Sequence, residues 1–193
     1  MISINNLYKK YNEKIIFENL NLKFSENGLY RIAGNNGIGK STLLKMISGM
    51  ERPDKGTVIW DDQNFYKKAG YIFDYHLYVE ELSFVDNLTF ISKIQNLDDI
   101  YTKERINYLS KIFDLSLDST PVRKFSSGMK KKVEIAMSIL NEPKYLLWDE
   151  PFTNLDKETI QIINKEILSK DIFVIIITHN EEYIEHNFID INI

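Results

Sequence analysis

The chain has 193 residues, 44% of them hydrophobic, with 24 basic against 28 acidic side chains and a formal charge of −4. This suits a single folded core, one domain with at most a small insert, and supplies no global cationic field of the kind that draws a protein onto nucleic acid or anionic lipid. The absence of cysteine excludes disulfides and thiolate metal sites, the three histidines (His76, His179, His186) lack ligand spacing, and the longest apolar run, 172–177, falls far short of a membrane span. Residues 1–7 alternate apolar and polar like a strand rather than a signal peptide, so the chain is expected to stay in the cytoplasm. Two strands, 2–8 and 15–24, are expected first, joined by a polar turn at Asn12 and Glu13. A short buried strand follows at 29–33, then a glycine-rich loop and a helix starting at 42–48. Gly49 and the segment 52–56 mark a turn before strands at 57–60 and 70–73. From about 75 to 125 the spacing of Phe84, Val85, Leu88, Ile91, Ile94, Ile106, Leu109, Ile112 and Phe113 is helical, which reads as a mostly helical insert. Strands return at 145–148 and 172–177, separated by a helix over about 157–168. Unbroken apolar strands alternating with helices argue for an α/β fold with a mainly parallel sheet covered on both faces.

The loop Gly34-Asn35-Asn36-Gly37-Ile38-Gly39-Lys40-Ser41-Thr42 fits the phosphate-binding pattern G-x-x-x-x-G-K-[ST] at every fixed position. Its glycines let the backbone curl around phosphates with N–H groups turned inward, and the following helix adds the positive end of its dipole. Lys40 is expected to reach the β- and γ-phosphates and Ser41 to offer its hydroxyl to Mg²⁺. Such a loop needs carboxylates nearby. The apolar strand at 145–148 ends in Asp149-Glu150, placed to hold Mg²⁺ and to polarise an attacking water, although Asp-Glu-Pro alone also reads as a strand end and turn. Phe125-Ser126-Ser127-Gly128-Met129 precedes a helical run through Val133, Ile135, Ala136 and Ile139. It reads either as an anion-binding helix start or as a plain serine cap. His179 follows the second apolar strand, where ligands bind in parallel sheets. Lys130, Lys131 and Lys132 read as a solvated helix face or as a contact surface.

Taken in order, these segments resemble the ATP-binding subunit of ATP-binding-cassette (ABC) transporters over essentially the whole chain. GNNGIGKST resembles the Walker A loop, YLLWDE the Walker B strand, 125–129 a variant signature motif, 153–156 the D-loop and His179 the switch histidine. The resemblance implies a P-loop NTPase core, an N-terminal antiparallel β subdomain and a small helical insert. It divides one ABC ATPase domain, 1–193, into a RecA-like core plus β subdomain, about 1–74 and 143–193, and a helical subdomain, about 75–142. It also implies ATP and Mg²⁺ as ligands, Glu150, His179 and Lys40 as catalytic groups, and Ser41, Asp149 and Asp74 as metal-facing groups. Tyr11 resembles the aromatic on which the family stacks adenine, though a turn or core tyrosine reads equally well. Ser126, Ser127 and Gly128 would grip the nucleotide of a facing subunit, a second copy or a paralogous ATPase in a head-to-tail dimer.

Asp74 stands where the family usually has glutamine, and an ionised aspartate cannot donate a hydrogen bond. The aromatic stretch 75–84 is read as partly packing and partly a groove for a separately encoded integral membrane subunit. The implied function is ATP hydrolysis that energises a transporter from the inner face of the cell membrane. The compact chain, with no room for a C-terminal regulatory domain, suits an exporter of peptide, bacteriocin or drug type. No nucleic-acid partner is expected. A soluble ABC ATPase of translation, repair or cluster assembly, and a slow regulatory nucleotide-binding module, are the alternative readings.

Overall fold

A computed structural model describes residues 1–25 and 27–193. The N-terminal strands β1 (Ile2–Tyr11) and β2 (Lys14–Phe24) form an antiparallel hairpin, and β4 (Lys55–Trp60) joins the other edge of β1, giving the order β2-β1-β4. In β1 the inward set is Ile2, Ile4 and then Leu7, a break in strict alternation. A bulge makes the shift: Asn6 adopts φ 48°, and its N–H donates to Asn21 Oδ1 at 2.9 Å. Without the extra residue the outward Asn6 would occupy the core position that Leu7 fills.

The second sheet runs β5 (Ala69–Ile72), β6 (Tyr145–Asp149), β7 (Phe173–Ile177), β3 (Gly28–Ala33), β8 (Phe188–Asn192), with every neighbouring pair parallel. Its central strands are apolar throughout because both faces are covered. Leu147, Ile175 and Ile177 pack with Leu43, Leu44 and Ile47 of α1 (Lys40–Ile47) and with the antiparallel sheet. Leu146, Trp148, Val174 and Ile176 face the opposite core, built from α4 (Ser127–Ser138), α5 (Lys157–Ile163) and the helices α2 (Phe84–Ile94) and α3 (Asp99–Phe113). Buried Trp148 donates its indole N–H to Ser138 Oγ at 3.1 Å, which ties β6 to α4. Helix starts follow the side-chain capping rule: Ser83, Asp98, Ser126 and Asp156 each accept an N–H from the first turn.

Three features depart from the sequence expectations. Residues 75–83 are irregular, and the helical spacing begins at Phe84, where Ser83 caps α2. Within α2, Ile94 is exposed and not part of the core. The helix expected over 157–168 passes at Asn164 into a π-helical turn, Asn164–Leu168. There the buried Asn164 side chain donates to the carbonyls of Ile160 and Tyr183 and accepts from the N–H of Glu185, so the turn anchors the segment leading to the last strand. Finally, β8 is an unanticipated fifth parallel strand. Arg31 on β3 holds it through two hydrogen bonds to Asp190, at 2.7 and 2.9 Å, and also pairs with Glu181.

Candidate functional site

β3 ends at Ala33, and the chain turns through the glycine-rich loop into α1. Gly39, the residue before the helix, sits at φ 117°, and a Cβ there would lie 2.5 Å from Ile16 Cγ2 and 2.7 Å from Phe17 Cζ. Only glycine fits that bend against β2. No side chain caps α1, so its first N–H groups are left for a ligand. The Lys40 side chain is buried and curls back over the loop, donating to the carbonyls of Gly34 at 2.8 Å and Asn35 at 3.1 Å. The same ammonium lies within the loop's own span, where an anion would take over from those carbonyls.

The carboxyl ends of β6 and β7 complete the site. Asn36, Gly37, Gly39, Lys40, Ser41 and Thr42 line a cleft of about 520 Å³ together with Asp149, Glu150 and His179. Burial raises the Asp149 carboxyl above the ordinary carboxylate range, while the neighbouring Ser41 hydroxyl works the other way and the charge of Asp74 adds to the rise. Glu150 is raised by burial first. Nearby His179 opposes the shift and Asp149 reinforces it. Glu150 also has φ 46°, an uncommon conformation for a side chain other than glycine, held by its N–H bond to Ile177 O at 2.9 Å. Its buried Oε1 makes no hydrogen bond, since His179 Nε2 stands 3.6 Å away. Glu150 lines the cleft, and this oxygen is an acceptor left uncommitted within the chain. The residues also fit a hard divalent cation: a hydroxyl at Ser41 and a carboxylate at Asp149 are oxygen donors suited to Mg²⁺.

Asp74, expected to face metal, lines the adjoining cleft with Ser41 and Asp149 and is paired with Lys45 of α1 at 2.8 and 3.0 Å. Tyr11 lies at the end of β1, exposed at its ring, with its hydroxyl bonded to Glu51 and Lys9 Nζ 5.1 Å from the ring centroid. Ile38 packs against Gly34 within the loop. Ser126 caps α4 by accepting the N–H of Met129 at 3.2 Å, and Gly128 passes so near Asn154 that a Cβ would meet its carbonyl at 2.7 Å. Neither Ser126 nor Gly128 lines the cleft that holds Lys40, whereas Ser127 borders the adjoining one with Ser41, Asp74, Asp149 and Glu150. The lysine run is committed within the chain: Lys130 to Glu80 at 2.9 Å, Lys131 to Glu134 at 2.6 Å and Lys132 to Asp156 at 3.8 Å.

Thr153 of the segment 153–156 lines the cleft, and sequence reasoning missed Ile16 and Asn180, which also line it, and Lys45. Ile16 reaches the site from β2, where no local pattern marks it, and Asn180 follows directly on His179. In the aromatic stretch, Tyr78 and Phe84 are buried, whereas Tyr75 and Leu77 stay exposed and line an apolar groove with Tyr71, Ile91 and Gln95. No helix among the described residues is long and apolar enough to cross a membrane.

The profile of the ABC transporter family matches residues 17–153. The lantibiotic transport ATP-binding protein SrtF of Streptococcus pyogenes is 30% identical over an alignment that covers 96% of this chain and 83% of that protein. The spermidine/putrescine import ATP-binding protein PotA of Clostridium acetobutylicum is also 30% identical, with 94% of this chain and 55% of that protein covered. Among solved structures, an ATP-binding subunit of an ABC transporter superposes with a TM-score of 0.84 at 25% identity, over 98% of this chain and 85% of the other. The dimeric bacterial ABC transporter cassette MJ0796 shares the fold, with a TM-score of 0.83 at 23% identity over 100% of this chain and 94% of the other. With the phosphate loop and the carboxylate pair brought into one cleft, these matches establish that the chain belongs to the ATP-binding subunits of the ABC transporter family and is an ATPase.

Proposed function

We propose that this subunit hydrolyses Mg-ATP in the cleft between Lys40 and Glu150 and uses the energy to drive export of a peptide, bacteriocin or drug through a separately encoded membrane protein. The observation that carries the hydrolytic part is Glu150 in the cleft that holds Lys40, with its Oε1 left without a hydrogen bond and His179 Nε2 3.6 Å away. Lys40 exchanges the loop carbonyls for β- and γ-phosphate oxygens, and the free N–H groups of the loop and α1 spread over the same charge. Glu150 accepts a hydrogen bond from the attacking water and orients it in line with the γ-phosphate, and His179 fixes the water and phosphate relative to each other. Mg²⁺, held by Ser41 and, directly or through water, by Asp149, supplies charge neutralisation at the phosphates when bound. Tyr11, with its exposed ring, offers a stacking face for the base.

Ser126, Ser127 and Gly128 at the start of α4 serve the nucleotide of a second subunit packed head to tail, because the first and last of them stand apart from the Lys40 cleft of their own chain. The helical part, about 75–142, and the core and β part, about 1–74 and 143–193, act as the two bodies that close around nucleotide. The groove lined by Tyr71, Tyr75, Leu77 and Ile91 receives the membrane subunit at the inner face of the membrane. The export assignment follows the lantibiotic transport relative, while the spermidine/putrescine relative, matched at the same identity, carries the import reading. Purifying the tagged protein from detergent-solubilised native membranes tests it. A stoichiometric polytopic membrane protein is expected. Recovery only with ribosomes, DNA or soluble enzymes would refute the transport reading while leaving the ATPase site in place.

A further inference from the structure

The cleft beside the phosphate loop is lined by four carboxylates, Asp74, Glu134, Asp149 and Glu150, together with Ser41. A nucleoside triphosphate is itself a polyanion, so this grouping opposes the ligand unless it is balanced. Two lysines line the same cleft, but Lys130 is engaged with Glu80 and Lys131 with Glu134. The side chain that meets Asp74 comes from α1. Lys45 stands four residues after Ser41, on the same helical face. Its ammonium lies 2.8 and 3.0 Å from the two Asp74 oxygens and 5.5 Å from the centroid of the Tyr75 ring. The Lys45 side chain is 24% exposed and that of Asp74 51%, so the pair sits at the rim of the cleft and is screened in part by solvent. Electrostatics support the assignment: Asp74 pushes the Asp149 carboxyl up, and Lys45 pulls it down.

We propose that Lys45 is a positioning residue of the nucleotide site, which neutralises Asp74 and holds it on α1, so that an aspartate can occupy this place without repelling the bound triphosphate. The inference rests on the nucleotide site described above and adds to it a residue outside the phosphate-binding pattern. Asp74 is then a partner of Lys45 and not a ligand of Mg²⁺. Lys45 contacts neither phosphate nor metal and acts through Asp74.

The test is ATP binding by calorimetry on the purified chain, with and without Mg²⁺, for the wild type, Lys45→Gln, Asp74→Asn and the double variant. Losing one neutralising unit charge at a site of intermediate dielectric weakens anion binding by about tenfold. Lys45→Gln is therefore expected to bind Mg-ATP about tenfold more weakly and to lose a larger factor for metal-free ATP, which carries more charge. Both losses should shrink as salt rises. Asp74→Asn, which leaves the Lys45 charge unopposed, should bind Mg-ATP more tightly than the wild type by up to about tenfold, and the double variant should return to within about threefold of the wild type. Thermal melts on the same samples separate a folding defect from a charge effect, and Lys45→Met provides a second neutral variant. A double variant as weak as Lys45→Gln, or a Lys45→Gln protein that binds like the wild type, would overturn the proposal. A wild type that binds no ATP, matching Lys40→Ala, would instead remove the nucleotide-site reading on which it rests.

Discussion

Replacing Gly39 with alanine tests the geometry of the phosphate loop most sharply, because Gly37 provides an internal control two residues away. Gly39 carries φ 117°, and its missing Cβ would sit 2.5 Å from Ile16 Cγ2 and 2.7 Å from Phe17 Cζ. Phe17 is buried in the core shared by the antiparallel sheet and α1, so it cannot simply swing out. The backbone conformation costs about 1–3 kcal/mol for a residue with a Cβ. Forcing a methyl against packed side chains costs about 1–3 kcal/mol more. Gly39→Ala should therefore lose about 2–6 kcal/mol, a large share of the roughly 5–15 kcal/mol that holds a domain together. Gly37 also has positive φ, 76°, but a Cβ there meets nothing within 4 Å. Gly37→Ala should lose only about 1–2 kcal/mol. Urea unfolding of both variants, followed by ATP titration of the folded fraction, measures the difference. Equal destabilisation of the two, or a Gly39→Ala protein as stable as the wild type, would refute the close approach of the loop to β2.

Other perturbations separate the roles of charge and burial. Burial raises the folded-state pKa of Glu150, so the folded protein binds its proton more readily than the unfolded chain does. The resulting penalty is absent below the unfolded carboxylate range and complete above the raised folded value. Glu150→Gln should thus melt at a higher temperature than the wild type near pH 7.5, and the gain should vanish on acidification towards pH 4; a constant gain across that range would exclude the burial argument. Arg31→Ala removes the two-point bond to Asp190 and should cost about 2 kcal/mol, seen as faster hydrogen exchange in β8. Unchanged exchange there would show that β8 is held by its backbone ladder alone. Lys40→Ala should abolish tight ATP binding, and retained micromolar affinity would mean that the loop is not used as described.

The sequence carried the phosphate loop, the strand ending in Asp149-Glu150 and the parallel sheet plainly, because those signals are local: glycines at fixed spacing and apolar runs bounded by turns. What it hid was set by distant partners. β8 mixes Asp190 with Phe188, Ile189 and Ile191 and looks like an ordinary chain end until Arg31 is placed beside it. Asn164 reads as a polar residue in a helix, yet its buried amide opens a π turn to hold residues 183–185. The left-handed backbone of Glu150, at φ 46°, has no sequence mark. Asp74 looked like an added charge at the nucleotide site, and its Lys45 counterpart lies 29 positions away on α1. The three lysines from 130 to 132 read as a solvated helix face or as a contact surface, and they are engaged by Glu80, Glu134 and Asp156.

Single-turnover hydrolysis measured beside Mg-ATP binding, for the wild type and Glu150→Gln, bears most directly on the assignment of chemistry to the Lys40–Glu150 cleft. Glutamine keeps the size of the side chain but removes its negative charge. Binding within about threefold of the wild type and a hydrolysis rate lower by more than about a hundredfold is the expected result, the scale of a lost general base. The same variant should accumulate an ATP-bound dimer on a sizing column. Hydrolysis at the wild-type rate, with binding intact, would contradict the role given to Glu150.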